Sequence, residues 1–219
     1  MAQRKNDPSI DVTLVTCPEP GEFSPLEAAI MDACNEMHEA REEGDSAGGE
    51  RVRTLLMKLV DRYDEADAEG HPNAAWARPN QRALALSACG EVERAVAAEI
   101  IALKYADTAR RREISLGNLS DRCIRLGRFE DAVRFFLEAR EAAPESVPVM
   151  LTGAQALFML GHHEAADNIF ASFLDRPEML APATELTAYL DCETRLREMV
   201  LDLPSLRELM VRWRALCPA

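Results

Sequence analysis

Residues 113–146 read EISLGNLSDRCIRLGRFEDAVRFFLEAREAAPES, and this stretch decides the fold. Leu116, Leu119 and Cys123 recur at helical spacing, with the small Ser120 on the same face. That is one amphipathic helix. Gly127 follows, suited to the left-handed residue that ends a helix. Ala132, Phe136 and Ala139 then define a second helix, and Pro144 stops it. The stretch is therefore a helix–turn–helix unit. The small Ala132 marks where the two helices cross, and Phe136 fills the gap to whatever packs next.

The unit recurs in both directions. Residues 147–180 repeat it with Met150, Gly153, Ala154, Leu157, Gly161, Ala166, Phe170 and Phe173, closing at Pro177. Residues 76–109 carry a weaker copy with Gly90, Ala95 and Ala102. There Pro79 is expected to shorten the first helix, and Glu99 stands where an aromatic belongs. Gly90, Gly127 and Gly161 lie 37 and 34 residues apart. A period in the mid-thirties is the mark of a repeat array. Residues 113–146 resemble the tetratricopeptide repeat, whose pattern runs W-x2-L-G-x2-Y…A-x3-F…P, with Leu116 for Trp, Ser120 for Gly and Cys123 for Tyr. About half of the chain carries the resemblance.

The resemblance implies an all-α, right-handed superhelical stack of antiparallel helix hairpins, an α-solenoid in which each hairpin buries its apolar residues on its neighbours. Residues 24–70 are expected to add an N-terminal helical hairpin. Ser24-Pro25-Leu26-Glu27 reads as a capping box opening a helix over 24–43, 44–49 as a flexible turn, and 50–69 as a second helix. Residues 181–219 should give capping helices, broken at Pro204, with Leu206, Leu209, Met210, Trp213 and Leu216 on one face. Residues 1–23 form a tail. Its alternating, β-branched segment 10–16 is either disordered or laid against another surface, and the groove of the stack is one candidate.

Tetratricopeptide arrays bind peptides on the surface made by the first helix of each repeat. The matching positions are Leu84, Asn118, Asp121, Ile124, Arg125, Leu151, Gln155, Phe158 and Met159. The resemblance thus implies an apolar groove, with Asp121, Arg125 and Gln155 orienting a bound segment. Lys and Arg that would clamp a peptide carboxylate are missing from the equivalent places, and only Asn118 fits such a clamp.

The rest of the sequence narrows the function. The 219 residues carry 25 Lys+Arg against 38 Asp+Glu, a net charge of −13. That disfavours nucleic acid and anionic membranes as partners, because both require clustered cations. The acidity is concentrated: residues 26–70 hold 13 acidic and 5 basic side chains, whereas 71–112 hold 4 and 7. Lys104 and Arg110-Arg111-Arg112 form the one basic cluster, read as a solvated helix start or as a docking patch for an acidic segment. No apolar run approaches a membrane span, and the polar start lacks an export signal, which together point to the cytoplasm. Six scattered cysteines without CxxC spacing read as buried thiols in a reducing compartment. There is no P-loop, GxSxG or HExxH, and no cofactor or metal site is expected; within the one histidine cluster, His162-His163, His163 and Asp167 are four apart and form the one candidate metal pair, with no third ligand nearby. The expected function is a non-enzymatic adaptor that captures a protein or peptide segment. A small acidic chaperone of the secretion type and a self-assembling structural protein are the alternatives.

Overall fold

The computed structural model describes residues 25–181, 184–192 and 194–216. Residues 1–24, with the candidate tail segment, lie outside them. The described residues are helical, with no strand among them. In chain order they form α1 (Pro25–Glu42), α2 (Ser46–Glu65), α3 (Ala74–Ala88), α4 (Val92–Tyr105), α5 (Ala109–Arg125) and α6 (Phe129–Ala142). Then come α7 (Val147–Met159), α8 (His163–Leu174), a 3-10 turn (Pro177–Leu180), α9 (Glu185–Cys192), α10 (Thr194–Met199) and α11 (Pro204–Leu216). None of these helices is long and apolar enough to cross a membrane.

One turn geometry closes four hairpins. Gly127 has φ +70°. Its N–H donates to the Ile124 carbonyl at 3.0 Å, and the next N–H, of Arg128, reaches back to Cys123 at 2.8 Å. This pair of bonds satisfies carbonyls left over at the end of α5, and a side chain with a Cβ would be strained at that φ. The same two bonds recur at Gly90, with Ser87 and Leu86, and at Gly161, with Phe158 and Leu157. They recur again at Gly44, with Arg41 and Ala40, so the α1–α2 hairpin closes like the three that follow.

The small residues expected at the crossings are in place. Ala95, Ala132 and Ala166 are fully buried, as are Ala102 and Ala139 further along the same helices. Within each hairpin the two helices pack along their length, and the odd helices also meet across hairpins, α1 on α3, α3 on α5 and α5 on α7. Phe136 joins one hairpin to the next: its ring lies so close to Gly153 that no Cβ could be added there.

Two local expectations are corrected. Residues 46–49 are helix, not turn, because Asp45 caps α2 by accepting the Gly48 N–H at 2.9 Å. A Cβ on Gly48 would collide with that carboxylate, so the glycine makes room for the cap. At its other end α2 stops at Glu65, short of 69. Pro79 does not shorten α3, which runs through it. The start of α3 is held from outside: Asn73 accepts the Trp76 N–H at 3.0 Å, and the Trp76 indole donates to Ser115 on α5 at 3.0 Å.

The core holds a polar seam among its apolar clusters. One cluster gathers α1, α2 and α3 with Ala102 of α4 and Ile114 of α5, a small one joins α3 and α4, and another runs from Val96 of α4 through α5 to α11. In the seam Glu99 on α4 is 0% exposed and Arg122 on α5 1%. Arg122 Nη1 donates to Glu99 Oε2 at 2.6 Å, and Asn80 Nδ2 on α3 donates to Oε1 at 3.0 Å. The residue that looked out of place in the weakest repeat is thus one half of a buried ion pair, with a hydrogen-bonded partner from each neighbouring helix.

Candidate functional site

The positions expected to line an open groove fall into two groups. Leu84, Asn118, Asp121, Ile124, Leu151 and Gln155 are buried. Arg125, Phe158 and Met159 reach the surface, with Met159 51% exposed. Arg125 is anchored: its guanidinium donates to the Ser87 hydroxyl at 2.6 Å and to the Ser87 carbonyl at 3.3 Å, at the end of α3. Phe158 stacks on the His163 ring at 4.5 Å.

Part of the expected groove is covered, and that cover comes from the chain itself. Helices α9 and α10 both pack against α7. Leu186, Tyr189, Leu190, Leu196 and Met199 from these helices join the same apolar cluster as Leu151 and Ile124. From α10, Arg195 Nη1 donates to Asp121 Oδ1 on α5 at 2.8 Å. Asp121 is 2% exposed, so this carboxylate would be a buried charge without a cation beside it. Two buried polar atoms on these helices, Asn118 Nδ2 on α5 and Gln155 Oε1 on α7, have no hydrogen-bond partner among the described residues. Asp121 and Gln155 stand 34 residues apart, one repeat, on odd helices that touch each other.

The C-terminal helix α11 is held separately. Its apolar Leu206, Leu209 and Met210 are buried, and it packs on α8. Asp167 on α8 accepts both the N–H and the hydroxyl of Ser205, each at 2.8 Å, capping the first turn of α11 from outside. Asp167, read from sequence as a possible metal ligand beside His163, is thereby occupied as a helix cap. Among the described residues no group of three or more His, Cys, Asp or Glu is placed to hold a metal ion.

Two members of the basic cluster are paired where they stand. Arg111 Nη1 pairs with Asp107 Oδ1 at 2.9 Å and its guanidinium lies over the Trp76 ring. Arg110 pairs with Glu113 at 2.8 Å. Hydrogen bonds from Asn73 and Arg111 hold the exposed Asp107 carboxyl below the usual range. In the first hairpin, Tyr63 donates its hydroxyl to the buried Glu27, and His71 Nε2 lies 3.2 Å from the same carboxylate. Burial and then that hydrogen bond push the Tyr63 phenol up. Burial also pushes the Cys34 thiol up to about 12, and raises Cys89 and Cys123. All three are free thiols.

Sequence reasoning missed the cover on the odd-helix face and the Glu99–Arg122 pair. The second had a signal, an acid at an aromatic position of the repeat. The first had none, because Arg195 and Asp121 are 74 residues apart and each is one of many like charges. No family model matches this chain, and no curated protein is similar to it.

Proposed function

We propose that the chain is a tetratricopeptide-like α-solenoid, wound as a right-handed stack of hairpins, that acts without catalysis as an adaptor for a segment of another protein. The observation that carries this reading is the helical segment already seated on the face of α5 and α7. A face that buries α9 and α10 through apolar side chains and one arginine has the chemistry to take a helix. Position-equivalent polar groups, Asp121 and Gln155, give that face a direction, because a bound segment must match the charge at one and the amide at the other. Met159, half exposed at the end of α7 beside Phe158, extends the apolar surface past the cover.

The test is capture from the native lysate with the full chain, comparing wild type with Met159→Asp and Phe158→Asp. The reading expects one specific protein to be retained by wild type and lost in both variants, with helicity by circular dichroism unchanged. Retention of the same partner by both variants, or no specific partner at all, refutes it. The acidic N-terminal hairpin supports the chaperone alternative only in that its side chains suit a basic client.

A further inference from the structure

We infer that two copies of this chain associate about a two-fold axis through the outer face of α4. The two helices lie antiparallel, with Ala97 against Ile100 and Glu93 against Lys104 of the other copy. This surface is separate from the odd-helix face, so the inference does not rest on the adaptor reading.

Three observations carry it. First, the face is apolar where its neighbour is charged. α4 buries Ala95, Ala98, Glu99 and Ala102 and turns Glu93, Ala97, Ile100, Ile101, Lys104 and Tyr105 outward. Ile100, Ile101 and Tyr105 are 40, 48 and 52% exposed. One repeat on, the equivalents of Glu93, Ala97, Ile101 and Lys104 are Glu130, Arg134, Glu138 and Glu141 on α6, all charged. Two adjacent isoleucines left in water forgo the burial that a contact would recover. Second, the spacing is that of a helix–helix seam. Glu93, Ala97, Ile100 and Lys104 follow one another at four, three and four residues, the alternation that keeps one line of side chains facing a partner helix. The small Ala97 lets two helices approach, and Ile100 fills the space opposite it. Ile101 and Tyr105 flank the seam. Third, the line is self-complementary. Glu93 and Lys104 stand equally far on either side of the point midway between residues 98 and 99, and so do Ala97 and Ile100. Turning a copy through a half-circle about that point brings acid onto base at both ends and small onto large in the middle. Copies laid parallel would set Glu93 on Glu93 and Lys104 on Lys104, so the charges select the antiparallel arrangement. Both charges are exposed, and among the described residues neither is in an ion pair of its own chain. Arg94, next to Glu93, is already held by Glu91.

Sedimentation equilibrium of the full chain tests this. A contact of one helix per copy is small and therefore weak, so between ~1 and ~200 µM the mass should rise from the 24.3 kDa of one chain towards twice that value. Glu93→Lys and Lys104→Glu each turn both end pairs into like charges, and each should weaken association at least ~5-fold. Both positions are exposed, so helicity by circular dichroism should be unaltered. Mixed in equal amounts, the two variants should associate with each other to within ~2-fold of the wild type, because every acid then faces a base again. A wild type that keeps the mass of one chain over the whole range overturns the proposal. So does a wild-type dimer that both single variants retain, or a mixture that associates no better than either variant alone. None of these outcomes touches partner capture through Met159, so the dimer and the adaptor reading fall separately.

Discussion

The contact between Phe136 and Gly153 yields a prediction whose sign is worked from distances. Adding a Cβ at Gly153 would place it 2.2 to 2.5 Å from three carbons of the Phe136 ring. Optimal carbon separations are about 3.5–4.0 Å, so the ring must retreat by more than about 1 Å. Phe136 is 1% exposed and has no open side to move into. Overpacking of this kind costs roughly 1–3 kcal/mol, while replacing a mid-helix glycine by alanine gains about 1 kcal/mol. With three ring atoms in collision the upper end of the cost applies, and Gly153→Ala should destabilise by about 2 kcal/mol. Gly117 supplies the contrast. It also sits inside a helix, but a Cβ there would meet only Val149 Cγ2 at 3.8 Å, an ordinary contact. Gly117→Ala should therefore stabilise by about 0.5–1 kcal/mol. At roughly 2–4 °C per kcal/mol for a chain of this size, thermal unfolding should move the two midpoints in opposite directions. A double-mutant cycle adds the mechanism: in a Phe136→Leu background the penalty of Gly153→Ala should shrink by about 1 kcal/mol or more. If Gly153→Ala raises the melting temperature as Gly117→Ala does, or if its penalty is unchanged by Phe136→Leu, the packing argument is wrong.

Three further outcomes follow from the same structure. Glu99→Ala should cost about 3–5 kcal/mol in urea unfolding by leaving Arg122 buried and unpaired, whereas Glu99→Met with Arg122→Met should cost less than the single change; a double variant worse than the single one would sink the ion-pair account. Asp167→Ala should lower stability by about 1 kcal/mol and speed hydrogen exchange in the first turn of α11, since it removes two bonds to Ser205; unaltered exchange there would count against the external cap. Cys34, with its folded thiol at about 12, remains protonated when the unfolded thiol ionises, so its contribution is complete below the unfolded value of about 8.5 and is lost as pH rises towards 12. Stability should thus fall on the alkaline side, Cys34→Ala should flatten that limb, and Cys34 should resist iodoacetamide at pH 8 until urea is added; rapid native labelling would contradict its burial.

Much of the helical framework was legible because local rules dictate it. Gly127 and its equivalents report their conformation through an absent side chain, and Ala132 and Ala166 report a close crossing through a small one. Those signals need no knowledge of the rest of the chain. The glycines at 44, 48 and 49 mask the α2 start in sequence, although an Asp before a helical run, here Asp45, is a cap signal. Pro79 does not end α3, and the Trp76–Ser115 bond to another hairpin at the start of that helix has no counterpart in the local sequence. The site was legible in its positions and not in its state. Spacing placed Asp121 and Gln155 on the odd helices, but only tertiary structure could reveal that Arg195 closes over Asp121, since pairing between distant charges leaves no periodic trace in sequence.

The polar seam bears on how the hairpins are ordered. Glu99, Phe136 and Phe170 occupy one position of the repeat, and the residue facing that position differs from joint to joint. At the first joint Glu99 meets Arg122; at the next Phe136 meets Gly153. One repeat on from Arg122 stands Ala156, and one repeat back from Gly153 stands Leu119. A shuffled chain with α7–α8 following α4 would therefore set the Glu99 carboxylate against an alanine and strand its charge. One with α5–α6 following a copy of itself would drive the Phe136 ring into a leucine. Each joint accepts its own neighbour and rejects the other, so the hairpins are not interchangeable modules: their serial order is written in the side chains between them.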